Sequence, residues 1–236
     1  MQSINDFYKD LTVIVPAREG SSRVKNKIFL PFHEGLNLLE WKITQLKKIH
    51  PEINIIVSSN SKKVKEITRN MGVGYHKRSD FLTVGHQASF SEVVVGIIKD
   101  LPTKHYLWTY CVEPLMAPKF YREGIEKYYE MVIQNKTHDS LIAVNLFKEF
   151  LWDTKAPLNY KADKNHPYSQ DLPDWYKVTN SMYMYSKAAA LERAYAFGEN
   201  PYKLVVPKIA GIDIDEEEDY LLAKALLPYY FKEYKS

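Results

Sequence analysis

Short apolar runs alternate with amphipathic stretches along the first two thirds of the chain. "LTVIV" (11–15) is apolar throughout, as expected of a strand covered on both faces. "NLLEWKITQLKKI" spaces Leu39, Ile43 and Leu46 at a helical period, with Asn37 placed to cap it. "INIIVSS" (53–59) predicts the next strand. "SKKVKEITRNMG" follows as a helix with Val64 and Ile67 on one face and Gly72 as its stop. A short strand is expected at 73–76, then a helix from about Phe90 with Val93, Val94, Ile97 and Ile98 as its apolar stripe. "HYLWTYCV" predicts a buried strand, Phe120, Ile125, Tyr128 and Val132 another helix, and "SLIAVN" (140–145) a further strand. This rhythm predicts an α/β fold with a mostly parallel central sheet flanked by helices.

Between 146 and 177 the periodicity stops, and aromatics, prolines and charges mix. Irregular segments of that length inside a domain are usually functional or interface-forming. "SMYMYS", a helix from Lys187, "KLVV" and a final helix from about Glu216 complete the pattern. The expectation is a single domain, 1–236, with 146–177 as an insertion.

Composition narrows the partners. The 236 residues carry 32 Lys+Arg against 29 Asp+Glu, a net charge of +3, too mild to argue for nucleic acid. One cysteine, Cys111, excludes an intrachain disulfide framework and fits a reducing cytoplasm. No apolar run approaches the roughly 20 residues that cross a bilayer, and "MQSINDFYKD" lacks a signal-peptide core. A cytoplasmic protein that engages no membrane is expected.

Two segments carry candidate chemistry. Directly after the first strand, "PAREGSSRVKNK" supplies Arg18, Arg23, Lys25 and Lys27, while Gly20, Ser21 and Ser22 let backbone N–H groups approach an anion. Ligands bind at the carboxyl ends of strands in open α/β sheets, and arginine forks onto phosphate oxygens. The same composition also suits a solvated turn. In "AGIDIDEEEDY" an extended backbone would throw Asp213 and Asp215 to one face and Ile212 and Ile214 to the other. Two hard carboxylates on one face suit Mg²⁺. The competing role for Asp215 is a cap on the last helix, with Glu218 three residues on. Scattered histidines and the absence of G-x-S-x-G leave no case for zinc or a serine hydrolase.

"VIVPAREGSSRVKNK" resembles the signature loop of the cytidylyltransferases that activate acidic sugars, the acylneuraminate and 3-deoxy-manno-octulosonate enzymes. "IIVSSN", "KRSDFLTVGHQAS" and "GIDIDEEEDY" resemble later segments of the same family, so the likeness runs from about Leu11 to Ala225. It implies a Rossmann-like nucleotidyltransferase fold, CTP as nucleotide and Mg²⁺ as cofactor. It also implies nucleotide contacts from Ala17, Arg18, Gly20, Ser22, Arg23, Lys27, Arg78 and Ser89. Arg18, Arg23, Lys27, Asp213 and Asp215 become the implied catalytic set, with Asp213 and Asp215 as metal ligands. By position, 146–177 corresponds to the arm through which that family pairs its subunits, so a homodimer is implied.

The acceptor half departs from the family. Tyr110 replaces the glutamine of the sialic acid enzymes, and Val112 replaces an acidic metal ligand of the octulosonate enzymes. Glu113 remains, with its role in the metal site open. Ser169, followed by Gln170, stands where an acceptor-binding arginine is found. Tyr183 keeps its family place, while either Thr179 or Asn180 takes that of an asparagine. Tyr110, Glu113, Ser169, Gln170, Thr179, Asn180 and Tyr183 are thus the implied acceptor residues. The expected reaction is CMP transfer from CTP to an acidic sugar other than N-acetylneuraminic acid, releasing pyrophosphate. The alternatives are a phosphate or phosphonate acceptor, a nucleotide-sugar glycosyltransferase, and a non-catalytic nucleotide-binding relative.

Overall fold

The computed structural model describes residues 3–20, 23–83 and 87–234. A helix not evident in the apolar pattern, α1 (Ile4–Asp10), precedes the first strand, β1 (Leu11–Pro16). A small hairpin, β2 (Pro31–His33) and β3 (Leu36–Asn37), leads into α2 (Leu38–Lys47). Next come β4 (Asn54–Ser59), α3 (Lys62–Asn70), β5 (Gly74–Lys77), α4 (Phe90–Ile98) and β6 (His105–Trp108). Then α5 (Pro118–Tyr128) widens into a π-helical turn, Tyr129–Gln134. The chain ends with β7 (Ser140–Phe147), β8 (Trp175–Ser186), α6 (Lys187–Arg193), β9 (Pro201–Val205), α7 (Glu217–Ala225) and α8 (Leu227–Tyr234).

Seven strands form one sheet in the order β5-β4-β1-β6-β8-β7-β9. All pairings are parallel except those of β8, which runs against both β6 and β7. Alternation along each strand splits the core into two layers. Val13, Val15, Leu107, Leu141 and Met184 face one layer, and Ile14, Trp108, Ile142 and Tyr185 face the other. The α2, α3, α5 and α8 residues Leu39, Val64, Ile125 and Tyr230 cover the first, while Val94 of α4 and Ala190 of α6 cover the second. The mixed, mostly parallel sheet flanked by helices is the fold the pattern predicted.

From β1 the chain moves outward to β4 and β5, then returns to place β6 on the other side of β1. The loops leaving β1 and β6 therefore diverge, and a crevice opens between them at the carboxyl edge of the sheet.

Several boundaries differ from the pattern. The strand expected over "HYLWTYCV" stops at Trp108; the Thr109 N–H still reaches the Ile14 carbonyl at 3.1 Å, and residues 110–112 then line the crevice. The 146–177 segment is less irregular than expected, since Phe147 pairs with Trp175 and Leu146 with Tyr176. The last helix is two, because Pro228 has no N–H to continue the α7 ladder. Asn37 caps α2 as expected, its Oδ1 accepting from the Glu40 N–H at 3.0 Å. Asp215 does not cap α7: Glu216 holds that position, and Asp219 Oδ2 accepts from the N–H groups of Asp215 (2.9 Å) and Glu216 (2.8 Å).

Candidate active site

The loop after β1 begins as a continuation of the strand, with the Ala17 N–H donating to the Ser58 carbonyl at 2.9 Å. Ala17 is buried, Arg18 half-buried, and Gly20 takes φ +85°, a left-handed conformation that an L side chain resists. Ser22 lies outside the described residues. Arg78, at the end of β5, donates from Nη2 to the Ala17 carbonyl at 3.3 Å and ties the two loops together. It is only 4% exposed; burial pulls its guanidinium down to about 10, although Tyr110 opposes the shift.

Lys27 opens a 3₁₀ turn and turns inward, 8% exposed. Its Nζ donates to the Ile214 carbonyl and, at 3.0 Å, to Asp215 Oδ1. Arg23 Nη2 reaches the same Asp215 oxygen at 2.8 Å. Burial by itself would raise the Asp215 carboxyl, but the bond from Lys27 and the charges of Lys27 and Arg23 hold it below its ordinary value.

Asp213 has different surroundings. Its Oδ2 accepts from Asn180 Nδ2 at 3.0 Å, while Oδ1 is buried without a partner among the described residues. Burial raises its carboxyl; the Asn180 bond opposes this and the Asp215 charge adds to it. The Asn180 N–H donates to Glu113 Oε1 at 2.7 Å, and the Tyr183 hydroxyl donates to Asn180 Oδ1 at 2.6 Å. Glu113, 1% exposed, is pushed well above the usual carboxylate range, first by burial and then by Asp213.

The loop that carries Glu113 is clamped from α2. Lys42 Nζ donates to the Glu113 carbonyl and the Tyr121 hydroxyl, both at 2.8 Å. Trp41 Nε1 and Gln45 Nε2 each donate to the Pro114 carbonyl at 2.8 Å. Lys42 is fully buried, and desolvation lowers its pKa. The sequence reading missed this clamp. Its signal was available, because Leu38, Lys42, Gln45 and Ile49 share one helical stripe whose ends are apolar.

Three cavities meet at Asp215. The first, about 380 Å³, is lined by Arg18, Arg23, Lys27 and Arg78 on one side and by Tyr110 and Val112 on the other. The second, about 520 Å³, is lined by the aromatics Phe90, Tyr110, Tyr183, Tyr195 and Phe197 together with Asn180 and Asp213. The third, about 510 Å³, holds Glu113, Asn180, Asp213, Lys177 and Lys208.

The structure therefore gathers Arg18, Arg23, Lys27, Arg78, Tyr110, Glu113, Asn180, Tyr183, Asp213 and Asp215 around one cleft. Other expected residues have structural partners of their own or lie outside the cavities. Ser89 caps α4, accepting from the Glu92 N–H at 3.2 Å. Thr179 lines the third cavity but its hydroxyl donates to the Ala143 carbonyl at 3.1 Å, whereas the Asn180 amide donates to Asp213. Ser169 and Gln170 are exposed on a 3₁₀ turn and line none of the three cavities. Among the described residues, no group of three or more His, Cys, Asp or Glu is assembled to hold a metal. No helix among them is long and apolar enough to cross a membrane.

A cation-lined cleft at the carboxyl edge of an α/β sheet suits an enzyme of the nucleotidyltransferase class, and across residues 12–226 the chain belongs to the cytidylyltransferase family. It is a CTP-dependent cytidylyltransferase. Among curated proteins it is similar to post-translational flagellin modification protein B of Campylobacter coli, 22% identical over 228 residues, covering 92% of this chain and 95% of that one. Among solved structures it is similar to a CMP:2-keto-3-deoxy-manno-octonic acid synthetase complexed with CTP (TM-score 0.65, 13% identity, 93% of this chain and 99% of that one). It is also similar to the 4-diphosphocytidyl-2C-methyl-D-erythritol synthase of Anaerococcus prevotii (TM-score 0.63, 16% identity, 94% and 97%).

Proposed function

We propose that this enzyme transfers CMP from CTP to an acidic sugar and releases pyrophosphate. The observation that carries the reading is the meeting of a four-cation cavity, lined by Arg18, Arg23, Lys27 and Arg78, with two further cavities at Asp215. The triphosphate fits the first and the acceptor the others. Lys177, in the third cavity, is the cation offered to an acid's carboxylate, work that the exposed Ser169 cannot do, while Lys208 already stands 3.7 Å from Glu149 in the same lining. An acceptor oxygen bonds to the α-phosphorus as the bond from that phosphorus to the pyrophosphate oxygen breaks, and the hydroxyl proton is lost. Arg18, Arg23 and Lys27 offset charge on the phosphates, so catalysis is chiefly positioning and electrostatics.

The residues fit Mg²⁺, since Asp213 keeps a buried carboxylate oxygen without a partner among the described residues. Bound there, the ion would supply charge for the triphosphate, sharing its shell with phosphate oxygens and water. The chain reads as one domain whose 146–177 arm pairs two copies, and Ser169 and Gln170 would reach an acceptor only in the partner's cleft. Supplying CTP, Mg²⁺ and a panel of sugar acids at matched concentration tests the reaction. Pyrophosphate should appear only with an acceptor present, and N-acetylneuraminic acid should rank low. Release with phosphorylated sugars alone would move the acceptor to the phosphate class.

A further inference from the structure

One loop, 109–113, contributes to all three cavities. Tyr110 and Val112 line the first and the second, and Glu113 lines the third. Its conformation therefore bears on nucleotide and acceptor alike. No helix or strand fixes that conformation, because β6 stops at Trp108 and α5 begins at Pro118. Backbone bonds reach it at Thr109, which donates to Ile14, and at Val112, whose carbonyl accepts from Ile214.

Lys42 reaches the loop from beneath, out of α2. The side chain has no exposure, and an ammonium held that deep carries a large desolvation penalty that its hydrogen bonds must offset. Leu38, Leu39, Ile43 and Leu46 on the same helix are equally buried, so packing by itself would be served by another apolar residue. Trp41 and Gln45 already anchor the Pro114 carbonyl. What Lys42 adds is a hold on both ends of the loop. Its Nζ donates to the Glu113 carbonyl at 2.8 Å, and also to the Tyr121 hydroxyl at 2.8 Å. An ammonium has donors and no acceptor, so the phenol oxygen accepts that bond. The Tyr121 O–H is then left to donate to Thr109 Oγ1, 2.8 Å away. Thr109 and Glu113, the first and last residues of the loop, are thus joined through one buried cation.

We propose that Lys42 is a positioning residue for the transfer reaction. With Tyr121 as its link, it holds both ends of the 109–113 loop so that Tyr110, Val112 and Glu113 face the cleft in a fixed arrangement. Lys42 itself lines none of the three cavities and acts through the loop. The inference rests on the reading that this cleft transfers CMP.

The test uses the full chain. Lys42→Met keeps the reach of the side chain and removes its donors. Pyrophosphate release, with CTP, Mg²⁺ and the panel acid that the wild type uses fastest, should fall roughly tenfold to a hundredfold in kcat. CTP affinity in metal-free buffer should stay within about twofold, since Arg18, Arg23, Lys27 and Arg78 stand on other segments. Hydrogen exchange followed by mass spectrometry should quicken by roughly tenfold or more across 109–115, while β4 and β9 keep wild-type exchange. Tyr121→Phe cuts the bond to Thr109 but spares the one to Glu113, so its loss should be smaller. The double variant should fall no further than Lys42→Met. Wild-type turnover in Lys42→Met, or unchanged exchange in 109–115, overturns the assignment. So does faster exchange throughout the chain with a lower urea midpoint, which makes Lys42 a core residue and nothing more. If Lys42→Met does not fold, Tyr121→Phe decides on the same two readouts. If no panel acid yields pyrophosphate with the wild type, the transfer reading fails, and the hold on the loop stands or falls on exchange alone.

Discussion

Arg23 and Lys27 touch the same carboxylate oxygen but have different consequences when removed. Arg23 has 57% of its side chain exposed, and exposed charges change stability by only about 0.5 kcal/mol. Arg23→Ala should therefore weaken CTP binding while leaving the urea midpoint almost unmoved. Lys27 is 10% exposed at its side chain and also holds the Ile214 carbonyl. Lys27→Ala should lower both CTP affinity and stability, the latter by about 1–3 kcal/mol, because a buried carbonyl loses its charged donor. Calorimetry and urea unfolding on the two purified variants check this. Unchanged CTP affinity in both would return the loop to a solvated turn.

The segment that carries Asp213 is positioned by what lies beneath it. Lys208–Gly211 forms a 3₁₀ turn against β7 and β8, and the Ile214 N–H then donates to the Val112 carbonyl at 2.9 Å. Gly211 makes this approach possible: a Cβ there would stand 2.4 Å from both Asn145 Oδ1 and Thr179 Cγ2. Neither neighbour yields easily. Asn145 Nδ2 holds the Val206 and Pro207 carbonyls at 2.9 and 3.0 Å, and the Thr179 hydroxyl holds Ala143. Gly211→Ala should destabilise by about 1–3 kcal/mol, the usual cost of overpacking, and should also reduce turnover by displacing Asp213. Urea midpoints and pyrophosphate release measure the two effects. Wild-type values in both would show that the segment shifts freely.

Across the whole molecule, apolar exposure concentrates on the arm between β7 and β8. Trp152, Leu158 and Tyr168 are 57%, 52% and 77% exposed, and the exposed outer residues Trp175, Tyr176 and Val178 continue the surface. Large apolar side chains left exposed, where they join into a patch, mark interaction sites. Light scattering should report a dimer at working concentration. Trp152→Glu should shift it toward monomer while changing unfolding stability by no more than about 0.5 kcal/mol. A wild-type monomer would leave the arm as a feature of the single chain.

What the sequence determined by itself was local and periodic. Apolar runs and helical stripes specify the strands and helices because burial imposes a period on each. The basic loop and the Asp213–Asp215 alternation were legible because each is contiguous. The pattern left out α1 and the hairpin, where few residues recur at a fixed spacing. Tertiary structure decided the electrostatics. Asp213 and Asp215 look alike in sequence, yet Lys27 and Arg23, 188 and 192 positions before Asp215, satisfy only one of them. Glu113 was singled out by its place in the sequence, but its burial became visible only with Asn180, 67 residues away, and the α2 clamp. A charge's role depends on what surrounds it, and chain order does not state those surroundings.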